Sequence, residues 1–218
     1  NSLFFGDMDG QYSHFLAGFS ELFGRGAFYT WHKALGGEAL SWAAYYLFSP
    51  FNFLVLLFPA SQMPTAVTLL TLTKTGCAGL AMHLFLRRRA GEWLSVQLSW
   101  AWALSGYLLG FSQNIMWMDA LIALPLIAWG IRRILEGHSP WLYLASLAAG
   151  IFCCYYIGWM LCLYSLLYFL FGLAAGDAAG RKLRVSVRFA LASLLAGGLN
   201  AWMLLPVAKA LGQGKAQA

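Results

Sequence analysis

Two carboxylates lie two residues apart near the start of the chain, in the stretch Gly6-Asp7-Met8-Asp9-Gly10. An Asp-x-Asp pair can bind a divalent cation such as Mg²⁺ or Mn²⁺ through its oxygen atoms, or one carboxylate can act as a general base. Acids are scarce here, because Asp and Glu total 8 of 218 residues and two of them lie in this stretch. We therefore predict that Asp7 and Asp9 are catalytic or metal-binding residues, with a solvated acidic turn as the alternative.

Two further ionisable residues lie within apolar stretches, where a charge needs a partner or a water-filled cavity. Asp119 follows Asn114 at the start of an apolar run, and we predict that it is a second acid of the same site, able to share a metal with Asp7 and Asp9. Interfacial hydration is the alternative for Asp119. Lys74 lies in the middle of another run, which predicts contact with an anionic group such as a lipid phosphate. A buried ion pair or a snorkelling side chain is the alternative for Lys74.

The elements that position these residues have the composition of an integral membrane protein. Hydrophobic residues make up 61% of the chain and charged residues 10%, against about 25% charged residues in soluble domains. The net charge of +6 does not indicate nucleic-acid binding, because the basic residues form short clusters between apolar runs instead of one solvated face. The chain has no phosphate-binding P-loop, dinucleotide-binding, serine-hydrolase or zinc-protease motif. The four cysteines lie in apolar stretches and are interpreted as small buried residues: Cys77, Cys153, Cys154 and Cys162.

Residues 1–62 do not form a simple membrane span. Their apolar pieces, Leu40–Phe48 and Phe51–Phe58, are separated by Ser49-Pro50. Neither piece has the about 20 residues that a bilayer crossing needs. We predict that both are interfacial helices within a first extracytoplasmic loop that covers residues 1–62.

The remaining chain predicts an all-α, polytopic transmembrane helical bundle. Single spans are predicted at Pro64–Leu86, Trp93–Phe111, Trp117–Ile131 and Val185–Leu205, the last closed by Pro206. The run Trp141–Gly172 would be about 48 Å long as one helix, against a hydrocarbon core of about 30 Å. We therefore predict two short helices there that turn near Cys153-Cys154-Tyr155-Tyr156. This gives about six spans over residues 63–206, and residues 207–218 begin a further outer loop.

The basic clusters predict the orientation of this bundle. Arg87–Arg89, Arg132–Arg133 and Arg181–Arg188 hold 3, 2 and 4 of the 14 Lys and Arg residues, and such clusters mark cytoplasmic loops. Residues 1–62 then lie on the outer face, together with Asn114, Asp119 and the Tyr155-Tyr156 turn. The two tyrosines are predicted to shape a substrate cavity, with interfacial anchoring as the alternative. Because the chain begins at Asn1 without a Met, we expect it to be part of a longer protein.

A series of short motifs, in this order, resembles the YfhO-like bacterial membrane proteins. The series is Gly6–Tyr12 followed by Phe15, Ser49-Pro50-Phe51-Asn52, Leu57-Phe58-Pro59, the Tyr107 region, Asn114 with Trp117-Met118-Asp119, Leu124-Pro125-Leu126 and Tyr155-Tyr156. That family looks like a branch of the C-type glycosyltransferase superfamily. Its enzymes are polytopic, keep their active site on the outer face and use polyprenyl-phosphate sugar donors. YfhO-like members are implicated in adding sugars to teichoic acids.

The resemblance implies a C-type glycosyltransferase-like fold in a bacterial plasma membrane and an inverting glycosyltransferase activity. It assigns the catalytic acid to Asp7 or Asp9, of which Asp7 directly follows Gly6 and matches better, and the second acid to Asp119. The substrate-binding residues predicted for this site are Gln11, Tyr12, His14, Lys74, Asn114, Tyr155 and Tyr156. The implied partners are a polyprenyl-phosphate sugar donor, a cell-envelope glycopolymer or lipid acceptor and membrane lipids, with no nucleic acid. A lipid or polysaccharide transporter is the alternative function, and a non-catalytic assembly protein is a third.

Overall fold

The protein is described here by a computed structural model that covers residues 8–19, 29–30, 37–178 and 180–215. This part of the chain is helical, apart from one antiparallel pairing of the two-residue strands β1 (Tyr29–Thr30) and β2 (Gly37–Glu38). A π-helical turn at Met8–Tyr12 leads into the short helix α1 (Ser13–Ala17). The later helices are α2 (Ala39–Tyr46), a 3₁₀ helix (Pro50–Leu57), a 3₁₀ turn (Ala60–Gln62), α3 (Met63–Ala90), α4 (Glu92–Ala103), α5 (Gly106–Gly110), α6 (Met118–Leu135), α7 (Trp141–Cys153), α8 (Tyr155–Ala174), α9 (Lys182–Leu199) and α10 (Ala201–Lys215).

Two of the described helices, α3 and α8, are long and apolar enough to cross a membrane. The number rises to four if each of two bent pairs forms one span, namely α2 with the 3₁₀ helix and α9 with α10. The fold class is therefore helical and membrane-type, as predicted. The predicted number of about six spans is not reached among the described residues. The bend between α2 and the 3₁₀ helix is 94°, so this pair forms either a broken span or a re-entrant loop.

The apolar run that was predicted to form two short helices divides at Cys154. This residue has an extended conformation between α7 and α8. A Cβ atom on Gly158 would lie 2.7 Å from the Ile151 Cα, and one on Gly150 would lie 2.6 Å from Leu161. The two helices therefore fold back on each other at Cys154 and approach closely at these glycines. The predicted break is confirmed.

The predicted span Trp93–Phe111 is not one continuous helix, because the helix breaks between α4 and α5. Ser105 has an extended conformation, and its hydroxyl accepts the Leu108 backbone N–H at 3.4 Å. It acts as the N-cap of a new short helix, a position that serine favours. The α4 segment packs antiparallel to α3, with Gly79 of α3 against Ala103.

The predicted span Val185–Leu205 is also interrupted, by a 70° bend at Asn200. The Asn200 amide donates to the Ala196 carbonyl at 2.9 Å and to the Ala148 carbonyl at 3.1 Å. The first bond satisfies a carbonyl in the last turn of α9, and the second ties the bend to α7. Helix α10 then continues through Pro206 to Lys215, so the proline does not close the helix as predicted.

Helix packing places the basic clusters at one end of the bundle, which we call the basic end. Arg89 lies 3.8 Å from the Glu136 carboxylate, and Arg181 donates to the Glu136 carbonyl at 2.9 Å. Arg188 donates to the Gly137 carbonyl at 2.7 Å. These contacts join the C-terminal ends of α3 and α6 to the start of α9.

The opposite end, which we call the loop end, carries Tyr12, Ser49, Asn114, Asp119 and Tyr155. Here α2 packs against α7, α8 and α10, and the 3₁₀ helix packs against α3. Asn114, Asp119 and the tyrosines at the start of α8 share this end, as the positions of the arginines predicted. The assignment of the basic end to the cytoplasm stays a prediction.

Position 130 of α6 has no room for a side chain. This helix packs against α3, α7, α8 and α9. A Cβ atom there would lie 2.5 Å from the Tyr143 backbone N and Cα, which cannot move aside as a side chain would. We expect Gly130→Ala to destabilise the protein by about 1–3 kcal/mol through overpacking. Gly76→Ala is the control, because nothing lies within 4 Å of its Cβ position in mid-α3 and alanine favours helix there. Thermal unfolding in detergent checks this, and equal melting temperatures for the two variants would contradict the packing.

Candidate functional site

The loop end contains a fully buried ion pair between Lys74 of α3 and Asp119 of α6. The Lys74 Nζ lies 2.7 Å from the Asp119 Oδ2, and the two residues are 0% and 5% exposed. Lys74 is 11 residues into α3, so its Cα lies about 16 Å along the helix from Met63. A lone charge at such a depth would be costly, and the pair neutralises both groups. The alternative given for Lys74, a buried ion pair, is what the structure shows.

Additional hydrogen bonds complete the pair. Lys74 also donates to the Ile115 carbonyl at 2.9 Å. Ser49 donates its hydroxyl proton to the Asp119 Oδ1 at 2.8 Å, so both carboxylate oxygens accept a bond. Asp119 lies in the first turn of α6, where the helix dipole stabilises a negative charge. The Phe51 ring centroid is 5.8 Å from the Lys74 Nζ, within cation–π range.

The sequence around Ser49 explains why its hydroxyl reaches Asp119. Pro50 follows it and favours the extended conformation that Ser49 adopts at the start of the 3₁₀ helix. The Ser49 side chain does not cap that helix, so its proton is available to the carboxylate. Asn52 donates to the Leu47 carbonyl at 3.0 Å and so holds the end of α2 against the next helix. This bond supports the sharp bend that presents Ser49.

A second link joins the first loop to the turn before α6. Tyr12 donates its hydroxyl proton to the Asn114 Oδ1 at 3.2 Å. The Asn114 carbonyl accepts the Trp117 N–H at 2.8 Å, which closes the turn that also carries the Ile115 carbonyl. Tyr12 ends the π-helical turn that contains the backbone of Asp9. The acid-bearing stretch is thus connected, through described residues, to the turn that contacts Lys74.

A line of aromatic rings extends the same surface towards α8. The Tyr46 ring lies 5.5 Å from Tyr12 and 4.5 Å from Tyr45. Tyr45 in turn lies 5.9 Å from Tyr155 and 6.0 Å from Tyr156. A cavity of about 280 Å³ opens beside Tyr45, Tyr46 and Tyr155. Of the two tyrosines predicted to shape a cavity, Tyr155 lines this one. Tyr156 is not part of its wall and is 46% exposed.

A larger apolar cavity of about 360 Å³ lies beside the ion pair. It is lined by side chains of α2, the link to the 3₁₀ helix, that helix, α7 and α10, among them Phe48, Phe53, Phe152 and Trp202. Ser49 forms part of its wall, so one hydrogen bond separates the cavity from Asp119. Apolar volume of this size next to a polar network is typical of a site for an amphipathic ligand.

The structure brings four of the predicted site residues into this network: Tyr12, Lys74, Asn114 and Asp119. Two others, Gln11 and His14, are exposed near it. Asp7 lies outside the described residues. The backbone of Asp9 is described, but its side chain is not. The catalytic roles of Asp7 and Asp9 therefore stay predictions.

In this arrangement Asp119 is paired with Lys74, and its role as a metal ligand stays a prediction. Both of its oxygens accept hydrogen bonds, and Lys74 already supplies the compensating positive charge. Among the described residues, no group of three or more His, Cys, Asp or Glu lies close enough to hold a metal ion. The predicted cation site also includes Asp7 and Asp9, whose side chains lie outside the described part.

Ser49 and the Ile115 carbonyl belong to the site but were not predicted. Ser49-Pro50 was interpreted as a helix break and as part of a family motif, without a role for the serine hydroxyl. A usable signal was available, because a serine hydroxyl within an apolar segment must find a protein partner when water is absent. The Ile115 carbonyl carries no signal in the sequence, since any residue offers that group.

A Ser-His-Glu grouping at the start of α4 does not form a nucleophilic site. The Ser95 hydroxyl donates to the Glu92 carbonyl at 2.8 Å. Its contact of 3.0 Å with the His83 Nδ1 therefore has the imidazole as donor. A serine nucleophile must donate its proton to the histidine. This grouping stabilises the turn between α3 and α4.

The ion pair predicts a non-additive response to mutation. We expect Lys74→Met and Asp119→Asn each to destabilise the protein by about 3–5 kcal/mol, because each leaves one buried charge without its partner. The melting temperature of the double variant should be closer to that of the wild type than the melting temperature of either single variant is. Melting temperatures of the four proteins in detergent test this. A double variant whose loss equals the sum of the two single losses would show that the groups do not interact.

Comparison with known proteins agrees with the motif resemblance. A family model described as bacterial membrane protein YfhO matches residues 1–218. No curated protein and no solved structure matches the chain. The match covers the whole chain, and the described helices include ones long and apolar enough to cross a membrane. The chain therefore belongs to the YfhO family of bacterial membrane proteins.

Proposed function

We propose that the protein is a membrane glycosyltransferase that moves a sugar from a polyprenyl-phosphate donor to a cell-envelope acceptor, either a glycopolymer or a lipid. The reaction takes place at the loop end, on the outer face of the bacterial plasma membrane. One observation carries this proposal. The apolar cavity has Ser49 in its wall, one hydrogen bond from the buried pair of Asp119 and Lys74.

The cavity suits the isoprenoid chain of such a donor. Its volume of about 360 Å³ accommodates part of a long chain, and it lies within the range of about 300–1,000 Å³ for small-molecule pockets. The Phe48 and Phe152 rings stack 5.1 Å apart beside it and give it a flat aromatic wall. The chain of the donor would lie here, and its phosphate would lie towards Ser49 and the open loop end.

The first loop supplies the base in this mechanism. Asp7 or Asp9 accepts the proton of an acceptor hydroxyl while the hydroxyl oxygen forms a bond to the anomeric carbon of the sugar. The bond between that carbon and the phosphate oxygen breaks, and the lipid phosphate leaves with the electron pair. Attack from the side opposite the phosphate inverts the anomeric configuration. Asp7 is the preferred base because it directly follows Gly6 in the family motif.

The ion pair acts mainly as a positioning element in this proposal. Contact between Lys74 and a donor phosphate, as first predicted, would require the ammonium to become accessible, because it is fully buried and donates two of its three protons to Asp119 and Ile115. While paired, Lys74 and Asp119 fix Ser49 and the turn that carries Asn114. Asn114 then holds Tyr12, three residues after Asp9 in the chain. Gln11, His14 and Tyr156 are exposed around this end and are available to the substrate.

A lipid or polysaccharide transporter is the second candidate function, and two observations favour it. The bent helix pairs, with angles of 94° and 70°, have the form of the discontinuous helices in secondary transporters. The charged pair of Lys74 and Asp119 lies within apolar helices, where ionisable groups often mark a transport pathway. In this case the substrate would cross the membrane without chemical change.

Replacement of the acids tests the enzymatic proposal. In the full-length protein, Asp7→Asn or Asp9→Asn should lower sugar transfer to a polymer or lipid acceptor by about 10²–10⁴-fold, as expected for loss of a general base. Asp119→Asn should lower transfer together with thermal stability. Asp177→Asn is the matched control, because this exposed acid lies beyond the end of α8 that is remote from the site, and it should transfer normally.

Retained transfer in Asp7→Asn, Asp9→Asn and Asp119→Asn would rule out this mechanism. Movement of a labelled polyprenyl phosphate across vesicle membranes, in the absence of any sugar transfer by the wild type, would establish the transporter instead.

The orientation has its own test in a variant without the four native cysteines. An Arg88→Cys substitution at the basic end should be shielded from a membrane-impermeant thiol reagent in intact cells, since basic clusters mark the cytoplasmic side. Gln62→Cys, exposed just before α3 at the loop end, should react. Reaction at position 88 and protection at position 62 would reverse the proposed orientation.

A further inference from the structure

The basic end contains a polar cavity of about 380 Å³ between the last turns of α3 and α6, outside the site described above. Its polar lining consists of Arg88, Arg89, Arg133, Glu136 and His138. Its apolar wall consists of Leu84, Phe85 and Trp129. A cavity with three guanidinium groups over an apolar wall has the chemistry of an anion site at a membrane surface.

The charges in this cavity do not cancel. Glu136 is its carboxylate, and the described contacts share it between Arg89 at 3.8 Å and His138 at 3.7 Å. Three arginines against one glutamate leave a net charge of about +2, and the two helix C-termini subtract only about 0.5 each. The site therefore stays positive without a ligand.

The three arginines differ in the contacts that they make within the protein. Arg89 is held by the Phe85 carbonyl at 3.1 Å and lies 5.1 Å over the Phe85 ring. By contrast, the Arg133 Nε is buried and has no hydrogen-bond partner among the described residues. Arg133 lines the cavity, and the described contacts include no hydrogen bond or ion pair of its guanidinium group, so this group is available to an anion there.

We propose that this cavity binds a phosphate-bearing anion, held by Arg88 and Arg133. Arginine forms paired hydrogen bonds with phosphate oxygens, which fits the forked geometry of the guanidinium group. Trp129 and Leu84 lie beside the arginines. A ligand with a charged headgroup on the arginines could therefore rest an apolar chain on these two side chains. An anionic phospholipid of the adjacent leaflet therefore fits the cavity, and free phosphate shares its recognised group.

Lipid binding to the purified full-length protein in detergent tests the proposal. The probes are phosphatidylglycerol, phosphatidylcholine and inorganic phosphate, and binding is measured by native mass spectrometry and by the shift in melting temperature. We expect phosphatidylglycerol to bind the wild type at least tenfold more tightly than phosphatidylcholine. Arg88→Gln and Arg133→Gln should each remove most of that preference.

Arg87→Gln is the matched control, because it removes the same charge from the same helix turn but does not line the cavity. It should keep the preference within about twofold, since an exposed charge outside the site contributes only screened attraction. Arg88 is exposed, so its variant is informative even if Arg133→Gln fails to fold. If Arg87→Gln and Arg88→Gln lowered the preference for phosphatidylglycerol equally, the proposal would be overturned, because binding would then follow net charge alone. Equal binding of the two lipids together with no response to phosphate would also overturn it.

The phosphate probe separates the two sources of the anion. A melting-temperature rise with inorganic phosphate that Arg88→Gln abolishes would support the site and identify a soluble anion as its ligand. A response to phosphatidylglycerol alone would support the site and identify a lipid headgroup.

Discussion

The buried ion pair between Lys74 and Asp119 is the constraint on which the loop end depends. Neither charge is tolerable alone in apolar surroundings, so each helix must present its group to the other. Asp119 also accepts a hydrogen bond from Ser49, and Lys74 donates one to the Ile115 carbonyl. Segments separated by up to 70 residues are fixed at one place by two charges and three hydrogen bonds. The cavity beside Ser49 has its shape because this network holds the bend between α2 and the 3₁₀ helix.

The loop end and the basic end of the helical bundle carry different chemical groups. The loop end has a neutral, internally paired centre surrounded by aromatic rings, which suits an uncharged sugar and an apolar chain. The basic end has unbalanced arginines, which suit phosphate groups at a bilayer surface. Helix α6 connects the ends, with Asp119 in its first turn and Arg133 in its last. A rigid, closely packed α6 therefore fixes the distance between the two sites.

The sequence predicted those parts of the fold that depend on the length of apolar runs and on the spacing of charged clusters. The break at Cys154 follows from an apolar run too long for one crossing, and the grouping of Arg89, Arg181 and Arg188 at one end follows from the spacing of clusters between helices. The breaks at Ser105 and Asn200 were not predicted, because they depend on side-chain hydrogen bonds to backbone groups that the apolar pattern does not show. The site was predicted in part. Lys74 and Asp119 were each recognised as anomalous, but their pairing across 45 residues is a tertiary contact.

The central claim is that a lipid-linked donor lies in the cavity beside Ser49. The most direct measurement is photocrosslinking with a polyprenyl phosphate that carries a photoreactive group on its chain, followed by mapping of the labelled residues. Labelling should fall on Phe53, Phe152 or Trp202, which line that cavity, and an excess of unmodified polyprenyl phosphate should suppress it. Labelling confined to lipid-facing residues elsewhere, or unaffected by the competitor, would contradict the account.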